Sequence, residues 1–227
     1  MNIVEVRLGT ADLDAAVRFY RDLLELSVAV SGTTATITLG RTLLTLTEAP
    51  DVRESNHLAF TIPSNRFAAA KAWISARVEP MSWDGGETEL RLGEPWDSES
   101  VYFEGPDGIL LELIARHRLP NATADGSVEP FTSAQLLCVS EVGLGTPDVA
   151  ATFAKVRRVF GMETFAGESP EFTTAGDQDG LLILVSTGRP WFPTIDWGAS
   201  TGTVQVTIAG VSPGTVTSDA GWTVTAA

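Results

Sequence analysis

The segment EVRLGTAD at residues 5–12 returns 136 residues later as EVGLGTPD at residues 141–148, with six of eight letters unchanged. Repetition at a fixed offset within one chain indicates a duplicated structural unit. In the first copy Val4, Val6 and Leu8 share one face of a predicted strand, and Thr10 or Asp12 can cap the helix that follows. The repeat therefore predicts a modular chain, in which a chemical site can be compared between copies.

The modules have a common order of elements, which is a strand, a helix and then further strands. The first module is predicted at residues 3–8, 13–26, 26–31, 34–39 and 42–48. The second is predicted at residues 57–62, 65–78, near Met81, and at 87–92, 100–104 and 109–115. The third is predicted at residues 136–144, 149–159, near Glu163, and at 171–175 and 181–186. A fourth begins at residues 203–208 and is too short for a helix and three strands.

The fold class predicted from this order is α+β, with paired βαβββ modules. Residues 1–118 are predicted to form a complete domain of two modules. Residues 119–135 are polar and contain proline and glycine, so they are predicted to be a linker. Residues 136–227 are then a second, truncated repeat.

Composition excludes some classes of function. A formal net charge of −14 argues against nucleic-acid binding, which requires a Lys/Arg surface. No apolar run is long enough to cross a membrane, and the N-terminal residues do not form a secretory signal, so a cytoplasmic protein is expected. The single cysteine, Cys138, lies in an apolar run and is predicted to be a buried structural thiol.

Three segments carry a resemblance to a known family: TADLDAAVRFYRDLLEL at residues 10–26, HLAFTIP at 57–63 and SVYFEGPDGILLELIAR at 100–116. They resemble the vicinal oxygen chelate superfamily, which includes glyoxalase I, extradiol dioxygenases, fosfomycin-resistance thiol transferases and bleomycin-binding resistance proteins. The resemblance covers residues 1–118 well and 136–210 more weakly. It implies cup-shaped mixed sheets, a small-molecule ligand and often a homodimer. The segment GRPWFPT at residues 188–194 is similar to a subgroup of glyoxalase-like proteins.

The resemblance also implies metal ligands on the first and last strands of the modules. Carried over by position, these fall on Glu5, His57 and Glu112, and the candidate catalytic residues are His57 and Glu112. Glu5 departs from the family pattern, in which a histidine or glutamine is usual. One imidazole and two carboxylates suit a divalent cation such as Mn²⁺, Zn²⁺, Ni²⁺ or Fe²⁺, and three protein ligands leave open positions for substrate.

Each of these residues has a structural alternative. Glu5, which recurs as Glu141 in a copy without a histidine, could have a structural role, such as bonding backbone groups near the next strand. Glu112 could be a partly solvated carboxylate paired with Arg7 or Arg91, and His57 could have a purely structural hydrogen bond. His117 could reach the rim of the cup or could face solvent, and Tyr102 and Trp96 could line a pocket or pack in the core. The second repeat is predicted to hold no metal, with Thr203 in the place of His57 and Glu141 hydrogen-bonded to protein groups.

Two classes of function follow. The first is a metal-dependent enzyme that acts on a small oxygen-rich molecule as a lyase, isomerase, dioxygenase or transferase. The second is a metal-free binding protein of the bleomycin-resistance type, which the acidic composition suits because such proteins sequester cationic drugs.

Overall fold

The computed structural model describes residues 1–50, 52, 56–124, 129–199 and 202–226. Its helices and strands, in chain order, are β1 (Asn2–Thr10), α1 (Leu13–Arg18), β2 (Ser27–Ser31), β3 (Thr34–Leu39), β4 (Thr42–Glu48), β5 (His57–Ile62), α2 (Phe67–Ser75), β6 (Leu90–Leu92), β7 (Ser98–Glu104), β8 (Leu110–Arg116), β9 (Cys138–Thr146), α3 (Val149–Phe160), β10 (Thr164–Glu168), β11 (Phe172–Asp177), β12 (Gly180–Ser186), β13 (Gln205–Ala209), β14 (Gly214–Thr217) and β15 (Thr223–Ala226). A π-helical turn, Phe19–Leu23, extends α1.

The repeated aspartate begins a helix in both copies of the repeat. The Asp12 carboxylate accepts a hydrogen bond from the Ala15 backbone amide at 2.8 Å, and Asp148 accepts one from Ala151 at the same distance. Each carboxylate satisfies an amide that has no partner within the helix. The last letter of the repeat therefore sets the point at which α1 and α3 start.

The strands form two mixed sheets. One has seven strands in the order β14-β15-β13-β1-β4-β3-β2, and the other has eight in the order β10-β11-β12-β9-β5-β8-β7-β6. In every module the first strand runs parallel to the last, and the first strands of two modules meet antiparallel, β1 with β13 and β5 with β9. These pairings confirm the predicted α+β fold of paired modules in mixed sheets.

The pairing of modules corrects one prediction. Residues 1–118 do not close a cup by themselves, because the first module pairs with the fourth and the second pairs with the third. The first strands of all modules have the same alternating apolar pattern, so the pattern alone does not select their partners. Both sheets are completed within one chain, across the predicted linker 119–135.

Some predicted elements differ locally. Near Met81 there is an isolated bridge between Pro80 and Phe103 in place of a strand. The fourth module has no helix between β13 and β14. Within the predicted linker, residues 125–128 lie outside the described residues, and Ser133–Gln135 forms a 3₁₀ turn. No helix in the described part of the chain is long and apolar enough to span a bilayer.

One hydrophobic core joins the two sheets and the three helices. It includes Ile3 and Val6 from the seven-stranded sheet, and Leu58 and Phe60 from the eight-stranded sheet. The opposite face of the eight-stranded sheet has its own smaller apolar cluster, centred on Tyr102, Ile183 and Trp191. The concave face of that sheet is thus partly covered and does not face open solvent.

Candidate metal centre

Three adjacent strands at the middle of the eight-stranded sheet bring together one histidine and two glutamates. Ala59 on β5 lies opposite Glu112 on β8 and opposite Glu141 on β9. His57 lies two residues before Ala59, so its side chain projects from the same face. The register of the three strands therefore brings one imidazole and two carboxylates together above Ala59.

The three side chains are close and almost inaccessible to solvent. His57 Nε2 lies 3.3 Å from Glu112 Oε2 and 3.5 Å from Glu141 Oε2. One ligand atom from each residue lies within 4.8 Å of the others, and among the described residues no other group of three His, Cys, Asp or Glu is so arranged. We call His57, Glu112 and Glu141 the His–Glu–Glu cluster.

The charges of the cluster are coupled. Burial disfavours the imidazolium form of His57, but the hydrogen bonds and charges of Glu112 and Glu141 outweigh burial and raise its pKa to about 9. Burial also opposes ionisation of Glu141, yet the positive charge of Arg116, with the hydrogen bond and charge of His57, holds its pKa below the usual range. The cluster thus contains ionised carboxylate and, without a metal, a protonated histidine.

Two neighbouring side chains lie beside the carboxylates. Arg116, at the end of β8, is fully buried and pairs with Glu141 Oε1, which leaves Glu141 Oε2 directed at His57. Tyr102 lies opposite Glu112 on β7, so its side chain projects from the same face of the sheet beside that carboxylate. Burial and the nearby Glu112 charge raise the pKa of Tyr102 well above its ordinary value, so the phenol remains a donor.

The donor set fits a divalent cation. Two atoms that bind one ion at about 2.0–2.2 Å with a tetrahedral angle lie roughly 3.4 Å apart. The separations of His57 Nε2 from the two glutamate oxygens, 3.3 and 3.5 Å, match that spacing. Imidazole with carboxylate is a donor set for Mn, Fe, Ni or Zn, and three protein ligands leave positions open.

A cavity of about 390 Å³ opens above the cluster. Its walls are mainly aromatic and aliphatic, with two serines and one arginine. The lining residues besides the cluster are Leu90, Leu92, Trp96, Ser98, Ser100, Tyr102, Leu110, Ile114, Phe172, Ile183, Arg189, Trp191 and Phe192. Tyr102 and Trp96 are among these lining residues, and both also pack in the apolar cluster of this face.

The structure brings His57 and Glu112 together but places Glu5 outside the cluster. Glu5 lies in the seven-stranded sheet, where its carboxylate accepts a hydrogen bond from Thr45 at 3.1 Å and pairs with Arg7 at 2.8 Å. Glu141, which was predicted to be hydrogen-bonded to protein groups and not to an ion, takes the third position and pairs with His57 and Arg116. The cause is the module pairing, which puts β9 and not β1 beside β5.

The register also corrects the counterpart of His57 in the other sheet. Thr207 lies opposite Glu5 in one sheet, and Ala59 lies opposite Glu141 in the other. His57 lies two residues before Ala59, so its counterpart is Gln205, two residues before Thr207. Thr203 was the residue predicted there. The match between Phe60–Ile62 and Val206–Ile208 is therefore displaced by two residues from the observed register.

Ion pairs place two further residues named in the sequence analysis, Arg91 and His117. Arg91 pairs with Glu89 and Glu99 and not with Glu112. His117 lies 3.5 Å from Glu99 and is partly exposed, away from the His–Glu–Glu cluster. Arg116 was missed by the sequence interpretation, and its signal was its position four residues after Glu112 on a strand that is buried throughout.

Comparison with known proteins places this geometry in a family. A model of the Glyoxalase/Bleomycin resistance protein/Dioxygenase superfamily matches residues 2–113. The metallothiol transferase FosB of Staphylococcus epidermidis is 30% identical over 118 residues, which cover 49% of this chain and 81% of that protein. FosB of Staphylococcus saprophyticus is 29% identical over 119 residues, which cover 49% of this chain and 75% of that protein.

Solved structures match almost the whole chain at low identity. A Bacillus subtilis protein aligns with a TM-score of 0.64 and 14% identity, covering 100% of this chain and 85% of its own. Glyoxalase I from Zea mays aligns with a TM-score of 0.54 and 16% identity, covering 99% of this chain and 91% of its own. These likenesses concern the fold, and the sequence matches concern the family. The chain belongs to the Glyoxalase/Bleomycin resistance protein/Dioxygenase superfamily, which is the vicinal oxygen chelate superfamily.

Proposed function

We propose that this protein is a divalent-metal-dependent enzyme that acts on a small oxygen-bearing molecule. The observation that carries the proposal is the His–Glu–Glu cluster, buried at the floor of a cavity of about 390 Å³. The family supports it, since the FosB relatives are named as metallothiol transferases.

In this proposal His57 Nε2, Glu112 Oε2 and Glu141 Oε2 hold the ion. A bound divalent ion would polarise substrate oxygens and stabilise negative charge that develops on them. Arg116 keeps Glu141 in its orientation by pairing with one of its oxygens, and Tyr102 lies beside Glu112. The apolar walls exclude water from the reacting groups, which strengthens electrostatic interactions there.

A metal-free binding protein is the second candidate, and one specific observation favours it. With His57 protonated, two cations, His57 and Arg116, face the two carboxylates of Glu112 and Glu141. The cluster is then balanced in charge without an ion. Metal binding must displace the proton from His57, so it competes with this arrangement.

Metal content distinguishes the two candidates. Protein purified without chelator, incubated with Mn²⁺, Zn²⁺, Ni²⁺ or Fe²⁺ and then dialysed, is analysed by mass spectrometry. We expect about one bound ion in the wild type, none in Glu112→Gln, and the wild-type amount in Glu99→Gln, a strand carboxylate outside the cavity wall. Absence of ion from the wild type at pH 7 and at pH 9 would refute the enzyme proposal and favour the binding protein.

Two properties of the whole protein complete the proposal. A cytoplasmic location is supported by the free, buried thiol of Cys138, whose pKa is raised by burial. A homodimer is not needed to complete the metal centre, because β5, β8 and β9 come from one chain.

A further inference from the structure

We propose that the substrate has a flat apolar body and one anionic group, and that Arg189 binds the anionic group. This inference deepens the proposed function, because it gives the class of substrate for the same cavity. It rests on the walls of the cavity and not on the metal.

Among the described residues, Arg189 is the one arginine or lysine on the cavity wall, and His57 is already engaged by Glu112 and Glu141. Its guanidinium lies over the Phe172 ring, 5.2 Å from the centroid, and Phe172 also lines the cavity. No carboxylate of the described residues lies within ion-pair distance of Arg189, whereas Arg116 is buried and already paired with Glu141. Arg189 therefore has an available charge at the cavity, and stacking on Phe172 directs it without neutralising it.

The backbone around Arg189 is held in place, so the site is built into the fold. The Ala199 amide donates to the Arg189 carbonyl at 2.8 Å, and the Gly188 amide donates to the Ala199 carbonyl at 2.8 Å. Two residues further on, the Trp191 amide donates to the Trp197 carbonyl at 3.0 Å. The segment GRPWFPT thus forms a fixed arch that presents Arg189, Trp191 and Phe192 to one cavity.

The apolar walls define the body of the ligand. Phe192 is 44% exposed at the surface and contacts Tyr102 and Trp83 edge to face, with centroids 5.7 and 5.0 Å apart. Trp191 lies beside His57, with ring centroids 5.6 Å apart. Aromatic walls of this kind favour a planar or aliphatic group of matching width, and an exposed ring at the surface of a cavity favours an apolar occupant.

A second polar group faces the same space. The Ser98 hydroxyl is buried and has no hydrogen-bond partner in the described part of the chain, and Ser98 lines the cavity. A buried hydroxyl without a partner is costly, so a ligand oxygen or a water is expected to satisfy it. The cavity therefore offers a ligand one hydroxyl, at Ser98, in addition to the charge of Arg189.

The sign of the charge separates this substrate class from the cationic ligands expected of a bleomycin-binding protein. An ammonium ligand would approach Arg189 with like charge, and the carboxylates at the cavity floor are already paired with His57 and Arg116. An anionic group of a ligand would instead pair with Arg189, for which the described residues supply no carboxylate.

Calorimetric titration with benzoate and with neutral benzamide, which has nearly the same shape, tests the inference on the full-length protein. We expect the wild type to bind benzoate roughly tenfold more tightly than benzamide, as a charge-assisted hydrogen bond provides. Arg189→Gln should abolish that preference while benzamide binding stays unchanged. Arg158→Gln, which removes an exposed arginine of α3, should keep the wild-type preference.

Each other outcome overturns the inference. A benzoate preference that survives in Arg189→Gln would assign the anion to another group, such as the ion at the cluster. Failure of the wild type to bind either probe, or a preference for benzylammonium, would also overturn it. Metal content measured in the same samples keeps this test separate from the proposed function, because Arg189→Gln leaves the three metal ligands intact.

Discussion

Glu5 and Glu141 occupy the same position of a repeated strand, but their surroundings differ in the two sheets. A β-bulge directly precedes each glutamate. The register of β1 with β13 shifts between Ile3 and Glu5, and the register of β9 with β5 shifts between Val139 and Glu141. The register assigns Gln205 and Thr225 as the counterparts of His57 and Glu112. One scaffold thus holds a His–Glu–Glu set in one sheet and a Gln–Thr–Glu set in the other.

The neighbour of each glutamate explains much of the difference. Arg7 in the seven-stranded sheet corresponds to Gly143 in the eight-stranded sheet. Arg7 pairs with Glu5 from its own strand, on a partly exposed surface. Gly143 instead leaves room for the Trp191 ring, and Glu141 takes its cation, Arg116, from β8. A cavity and a buried charge network therefore replace a surface ion pair.

The largest expected difference concerns the two arginines. Replacing Arg116 by leucine leaves the Glu141 charge buried without its main partner, which should lower the free energy of unfolding by about 3–5 kcal/mol. Arg7→Leu removes an exposed partner of Glu5 and should cost about 1 kcal/mol or less. Urea unfolding of both variants measures the contrast. Equal losses would mean that the two glutamates have equivalent surroundings, against the structure.

The next effect is a pH dependence that only the cluster should show. The folded-state pKa of His57 is raised from 6.5 to about 9, so its stabilisation is complete below pH 6.5 and is lost as pH rises through 9. That loss amounts to about 3 kcal/mol in chelator-treated protein. His57→Gln installs the residue found at position 205 and should remove this part of the pH dependence.

Urea unfolding between pH 6 and pH 10 in the presence of chelator checks this prediction. The relevant quantity is the difference between the wild type and His57→Gln, because His117 and the other titrating groups are common to both. A difference that does not change with pH would show that His57 is neutral in the folded protein.

The third effect separates the two copies of the repeat by metal affinity. Glu141→Gln removes a carboxylate ligand and should weaken metal binding by more than about 100-fold, since loss of an outer-shell partner alone costs roughly 10–100-fold, whereas Glu5→Gln should leave it unchanged. Competition with a chromophoric chelator measures both affinities, and circular dichroism confirms that each variant is folded. Loss of affinity in Glu5→Gln alone would return the metal site to the position predicted from the sequence.

Much of the fold follows from the sequence because its signals are local. Alternation predicts β5, and the aspartate of the repeat predicts the start of α1. His57 and Glu112 were placed on the concave face by the same alternation, and the structure puts them 3.3 Å apart.

The third member of the cluster could not be obtained in this way. Glu5 and Glu141 are identical in local pattern, and the choice between them depends on which first strands pair. That pairing is a long-range property, set by how whole modules pack. The alternation of apolar residues along one strand does not determine which strand it pairs with. The role of Gly143 could not be predicted from the local sequence either, because it depends on Trp191, which lies 48 residues further along the chain.

The smallest expected effect tests the role of Gly143. A Cβ built at this position meets the Trp191 ring and lies 3.0 Å from the His57 Cβ, closer than packed side chains allow. Gly143→Ala should therefore displace Trp191 and cost about 1–2 kcal/mol, as extra volume in a packed site does. Arg7→Ala places an alanine at the position of the other sheet that corresponds to Gly143, where a Cβ already fits. This variant should lower the free energy of unfolding by less than about 1 kcal/mol. Urea unfolding gives both values, and a change in the tryptophan fluorescence of the folded Gly143→Ala protein reports movement of Trp191. If Gly143→Ala is as stable as Arg7→Ala and its fluorescence is unchanged, the glycine is not what makes room for the cavity wall, and the difference between the two sheets lies in the cluster residues alone.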